Sequence, residues 1–118
     1  MNKDKVLVLK DLSSRLPYSP IVHIIDEDGT EVDALLTTST IDNLGKWVVK
    51  PYLRPMSSMT DKEFEEAKQL YDFRFADRKV YITVSKFMDF LNKHHFDYNG
   101  LIPLGLAIEA PSDMYKEE

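Results

Sequence analysis

Ile21-Val22-His23-Ile24-Ile25-Asp26-Glu27-Asp28-Gly29-Thr30-Glu31-Val32-Asp33-Ala34-Leu35-Leu36-Thr37 is the stretch whose reading decides the fold. Ile21 to Ile25 is apolar and rich in β-branched side chains, which fit a pleated, half-buried surface. Asp28-Gly29 is a strong signal for a two-residue hairpin turn. With those two residues as the turn, Ile25 faces Val32, His23 faces Ala34 and Ile21 faces Leu36, all on one side of the ribbon. That side is the expected core face. Val22, Ile24, Asp33, Leu35 and Thr37 then lie opposite, a mixed set that implies partial cover. A longer loop would shift the pairing by a residue and exchange the two faces.

Working outward, residues 3 to 16 carry Val6, Leu9, Leu12 and Leu16 at helical spacing. Pro17 ends that helix, because the residue before a proline is pushed out of the α region. Downstream of the hairpin, Lys46 to Lys50 reads as a third strand around Trp47, Val48 and Val49. Pro51 and Pro55 frame an extended segment through Met59 that cannot be a helix interior. Thr60 and Glu63 form a capping box, with Met59 and Phe64 as a hydrophobic staple, so a helix is expected over 61–75 with Phe64, Ala67, Tyr71 and Phe75 as its apolar stripe. Val80 to Ile82 reads as a short strand. Ser85 then caps a helix running through Phe87, Phe90, Leu91 and His94. Asn99-Gly100 marks a stop, and the chain from Leu101 to Ile108 reads as buried and irregular, with a short strand near Leu106 to Glu109. About three helices and a short, largely antiparallel sheet, not in strict alternation, give an α+β fold. One domain over residues 1–118 is expected, with 115–118 as a flexible tail.

Composition bounds the function. The chain has 118 residues, 43% hydrophobic and 30% charged, enough for one core without staples. Cysteine is absent, which removes disulfides, thiolate nucleophiles and cysteine-rich zinc sites together. The net charge of −5 argues against a dedicated nucleic-acid-binding domain, which needs Lys and Arg to neutralise phosphate. Lys46, Lys50 and Arg54 form only a sparse basic patch. The apolar run Val6 to Leu9 is too short for a signal-peptide core, and no segment approaches the roughly 20 apolar residues of a membrane span, so a cytoplasmic location is expected.

The most enzyme-like cluster is His94, His95, Asp97 and Tyr98, where an imidazole oriented by a carboxylate could act as a base or a metal ligand. Adjacent helical residues point about 100° apart, so both histidines cannot face one site unless the helix ends there. No third ligand stands at a known spacing. One histidine capping the helix and the other packing inside is the plainer account. His23 reads as a satisfied strand residue. Asp26, Glu27, Asp28, Glu31 and Asp33 read as a solvated turn, since the calcium-loop pattern is missing. No serine has a nucleophile context and no glycine loop could cradle a phosphate. No catalytic residue, metal or cofactor is therefore expected. Trp47, Tyr52, Arg54, His95 and Tyr98 are the candidate binding residues, because aromatics and arginine dominate recognition hot spots.

Three stretches carry a wider likeness: Lys10-Asp11-Leu12-Ser13-Ser14-Arg15-Leu16-Pro17-Tyr18, the run from Lys50 to Thr60, and the run from His94 to Ala107. Together, in this order, they make the chain resemble an uncharacterised family of short proteins from gut Bacteroidales and their phages or mobile elements. The resemblance implies a bacterial or phage-infected cytoplasm and carries no activity or site residue with it. The function expected on these grounds is a non-enzymatic, protein-binding accessory module. The alternative is a small-ligand-binding protein or enzyme using the cluster at 94–98. Oligomeric state is left open.

Overall fold

The hairpin forms where its β-branched residues place it, but with its faces exchanged. In the computed structural model of the protein, the described backbone covers residues 3–71 and 79–115, and the described side chains cover 3–70 and 85–115. Strands β1 (Ile21–Ile25) and β2 (Glu31–Leu35) pair antiparallel with Ile25 opposite Glu31, Ile24 opposite Val32, His23 opposite Asp33, Val22 opposite Ala34 and Ile21 opposite Leu35. The expected register is thus off by one residue. The cause is the turn. Gly29 N–H donates to Asp26 O at 3.0 Å, Asp26 N–H donates to Thr30 O at 3.0 Å, and Gly29 takes φ +81°. These are the marks of a three-residue loop, a type I turn closed by a left-handed glycine, and not of a two-residue turn. The Asp26 carboxylate reinforces it by accepting from the N–H groups of Asp28 and Thr30 at 2.9 and 3.0 Å. One extra loop residue sends Val22 and Ile24 into the core and leaves Ile21, His23 and Ile25 on the outer face.

Strand β3 (Val48–Leu53) runs antiparallel to β1, with His23 opposite Lys50 and Val22 opposite Pro51. Strand β4 (Ile108–Glu109) pairs parallel with β3, giving a sheet in the order β2-β1-β3-β4. Pro51 is tolerated inside β3 because the Val22–Pro51 pair is a non-bonded one, so its missing N–H is not needed on that side.

Helix α1 (Lys3–Arg15) covers one face of the sheet, packing Val8 and Leu12 against Val22, Ile24, Leu36 and Val49. Burying each of the larger of these side chains contributes about 2 kcal/mol. A short helix α2 (Thr38–Asp42) follows the hairpin and was not legible beforehand, since five residues show no apolar period.

Helix α3 (Asp61–Tyr71) opens with the expected capping box: Glu63 N–H donates to the Thr60 hydroxyl at 3.1 Å, and Thr60 N–H donates to the Glu63 carboxylate at 2.9 Å. Phe64 departs from expectation. It is 57% exposed, and the stripe that packs is Ala67 with Leu70. The remainder of the expected helix, 72–75, lies outside the described residues. Helix α4 (Lys79–Lys93) replaces the strand expected at Val80 to Ile82, and Ser85 falls inside it rather than capping it. Val80, Val84, Phe87 and Leu91 recur at helical spacing, and that period overrides the local β-branched preference. Phe90 and Leu91 join Ala67 and Phe96 in a second apolar cluster, and Leu53, Leu101 and Ala107 form a third.

Candidate functional site

Helix α4 ends in a tight left-handed turn that separates the two adjacent histidines. Phe96 N–H donates to Leu91 O at 2.9 Å and His95 N–H to Asn92 O at 3.1 Å, with His95 at φ +62°. This is the Schellman arrangement, in which the last carbonyls of the helix are taken up by the residues that follow it. His94 stays over Phe90, ring centroids 4.7 Å apart, with Nδ1 3.3 Å from the Glu63 carboxylate. His95 turns the other way and stacks on Tyr115 at 3.9 Å. Burial pushes its pKa down to about 4, and the positive charges of Arg15, His94 and Arg54 act in the same direction.

The other members of this cluster are held elsewhere. The Asp97 carboxylate is buried and accepts from the N–H groups of Leu101 and Ile102 at 2.8 and 3.0 Å, fixing the next loop. The Tyr98 hydroxyl donates to Asn92 at 2.7 Å, while its ring lies 4.6 Å beneath the Arg15 guanidinium. His95, Asp97 and Tyr98 therefore do not converge on one pocket.

Arg54 is the centre of a clamp. Its backbone brackets the turn, with Arg54 N–H donating to His95 O and Asp97 N–H donating to Arg54 O, both at 2.8 Å. The guanidinium makes a two-pronged bond to Glu63, both arms 2.7 Å, reaches Ser58 O at 3.0 Å, and lies 4.3 Å over the Phe96 ring. Beside it the Glu63 carboxyl is held down to about 2. The same carboxylate that caps α3 thus ties that helix to the end of β3.

Tyr115 joins two more of the candidate residues. Ile21 and Tyr52 are the next pair along the β1–β3 ladder, and the Tyr115 hydroxyl sits between them. It accepts from Ile21 N–H at 2.9 Å and donates to Tyr52 O at 2.7 Å. Burial drives its pKa up to about 12. Tyr115, expected to begin a solvated tail, is instead a splice in the sheet, and residues 116–118 lie outside the described set. Trp47 stands apart from the other four candidates, packed on the α1 cluster and lining a small cavity of about 170 Å³ with Val8, Leu44 and Leu106. A larger groove of about 690 Å³ runs between the start of α3, the end of α4 and residues 109–115. Arg54, Glu63, His94 and Tyr115 line it, and His95, Asp97 and Tyr98 do not.

Two further clusters were missed in the sequence. Asp11 and Arg15, both fully buried, pair at 2.7 Å, and Arg15 also donates to Phe96 O at 2.7 Å while Asn99 donates to Asp11 at 2.8 Å. Their spacing of four on a helix was the available signal. On the outer sheet face, His23 Nδ1 lies 2.7 Å from Asp33 and Nε2 lies 2.8 Å from Glu31, and the Tyr52 hydroxyl donates to Asp33 at 3.0 Å. Ionised carboxylates only accept, so an arrangement with one at each ring nitrogen favours the doubly protonated imidazole. The bond to Asp33, then that to Glu31, raises its pKa. No reading of the sequence could find this cluster with the register one residue out.

None of the three apolar clusters draws a side chain from that outer face, and β2 is exposed at every position. Among the described residues no group of three or more His, Asp or Glu is set to hold a metal ion, and no helix is long and apolar enough to cross a membrane. No family model matches the chain, and comparison with curated proteins and with solved structures found no match.

Proposed function

We propose that the protein is a non-enzymatic protein-binding module, an accessory protein of a phage or mobile element acting in the bacterial cytoplasm. The observation that carries this reading is how the chemistry-bearing side chains are used. Asp97 holds a loop, Tyr98 bonds Asn92, Arg54 clamps Glu63, and His95 is desolvated against Tyr115. A general acid or base needs a proton path to substrate, and these groups are already engaged with partners within the fold. The surface left over is the outer sheet face with its exposed edge strand. Small-ligand binding is the second reading, favoured by the 690 Å³ groove beside His94.

The test is tagged chain expressed in a Bacteroidales host, cross-linked in the cell and purified. A discrete protein adduct that excess untagged chain competes away is the expected result. No competable adduct, together with a rise in melting temperature on a metabolite panel that His94→Ala abolishes, would favour the groove reading instead.

A further inference from the structure

We infer that β2 is a docking edge for an extended, basic segment of a partner protein, added to the sheet as a fifth strand. This rests on the protein-binding reading above and names where and what it binds.

The backbone supplies the first part. In β1–β2 the bonded pairs are those of the even residues, as Leu36 N–H to Pro20 O at 2.9 Å and Asp26 N–H to Thr30 O at 3.0 Å fix at the two ends of the hairpin. The N–H and C=O groups of Glu31, Asp33 and Leu35 therefore point away from β1, along the free edge. Sheet edges of this length are ordinarily blunted by a proline, a bulge or charged side chains. Glu31-Val32-Asp33-Ala34-Leu35 has no proline or bulge, and its only charges are the acids Glu31 and Asp33.

The side chains choose the occupant. Glu31 and Asp33 stand on the outer face with side chains 62% and 50% exposed. On β2 itself the only charges are the carboxylates of Glu31 and Asp33, and the nearest cationic side chains on this face, His23 of β1 and Lys50 of β3, lie inward from the edge. On the other face, Val32 is 51% exposed, lying beyond the part of the sheet that α1 covers. An incoming strand with Lys or Arg opposite Glu31 and Asp33, and apolar residues alternating with them over Val32 and Ala34, satisfies both faces at once. A second copy of the chain does not. In the antiparallel register that uses all of β2, Asp33 faces Asp33, and a shift toward the turn puts Glu31 opposite Asp33. Like charges directly opposed destabilise a strand pair, so the acids guard the edge against itself while leaving it open to a basic strand.

Selection from a random peptide library displayed on phage, followed by amide exchange of the full chain with the enriched peptides, tests this. Enriched peptides should carry Lys or Arg at alternate positions. They should slow exchange at Glu31, Asp33 and Leu35 at least tenfold, and lose binding when N-methylated at alternate amides. Enrichment without basic alternation, no enrichment, or dimerisation through β2 in sedimentation would overturn it. Protection confined to the groove lined by Arg54 and His94 would overturn the edge assignment while leaving the protein-binding reading standing.

Discussion

Asp11 and Arg15 on the buried side of helix α1, and His23 with Glu31 and Asp33 on the open face of the sheet, make the same kind of bond in opposite surroundings. Each joins a planar nitrogen-bearing group to carboxylate oxygen at 2.7 Å. The first pair is sealed from water and also holds Phe96 O and Asn99, so it fixes the first helix to the 94–99 turn. The second stands in solvent, where the attraction is screened and its loss is shared with water. Distance alone does not rank interactions; what surrounds them does. The buried pair is architecture, and the exposed cluster is free to answer to pH, salt and partners.

Breaking the buried pair should give the largest effect. Asp11→Ala leaves the Arg15 charge unpaired in the core and should cost about 3–5 kcal/mol in chemical denaturation. A cost near that of an exposed pair would show that water reaches Arg15 and would collapse the contrast. Glu63→Ala comes next, at about 2 kcal/mol, because it removes both the α3 cap and the half-buried Arg54 clamp. Its sign with pH is definite. The Glu63 carboxyl is held down to about 2, so its stabilisation is complete above its ordinary value of 4.5 and is lost as the pH falls toward 2. The wild-type advantage over Glu63→Gln should shrink across that interval.

Tyr115→Phe deletes the hydroxyl that bridges Ile21 and Tyr52 while keeping the ring against His95, and should cost about 1–2 kcal/mol. An unchanged melting curve would return Tyr115 to the solvated tail expected from the sequence. The smallest effect belongs to His23. Its folded pKa is raised above the ordinary value, so its contribution is fully present below about pH 6.5 and disappears as the pH rises through the folded pKa. The stability difference between the wild type and His23→Gln should follow that course and shrink in about 1 M salt. A difference that grew with pH would mean that the imidazole is neutral in the folded state.

What was legible in the sequence was what local chemistry determines. Thr60 and Glu63 announced the start of α3, Pro17 the end of the first helix, and Ile21 to Leu36 a hairpin. What was not legible depended on a single residue of loop length or on long-range pairing. Asp28-Gly29 looked like a complete turn because the contribution of Asp26, through its own carboxylate and carbonyl, is invisible in composition. That one residue exchanged Val22 and Ile24 for Ile21, His23 and Ile25 in the core, and so hid the His23 cluster and the character of β2. The cluster at 94–98 misled in the other direction. His95, Asp97 and Tyr98 are catalytic residue types, but a helix C-terminus needs groups to take up its free carbonyls and to hold the turn that follows. The partners they found, Asn92, Leu101, Ile102 and Tyr115, are scattered along the chain.

Amide hydrogen exchange of the free protein, resolved residue by residue, tests most directly the claim that the enzyme-like cluster is locked and the sheet edge is open. Along β2, Val32 and Ala34 should exchange slowly and Glu31, Asp33 and Leu35 near open-chain rates, while Leu101 and Ile102 are protected by Asp97. Uniform protection along β2, or rapid exchange at Leu101 and Ile102, would contradict it.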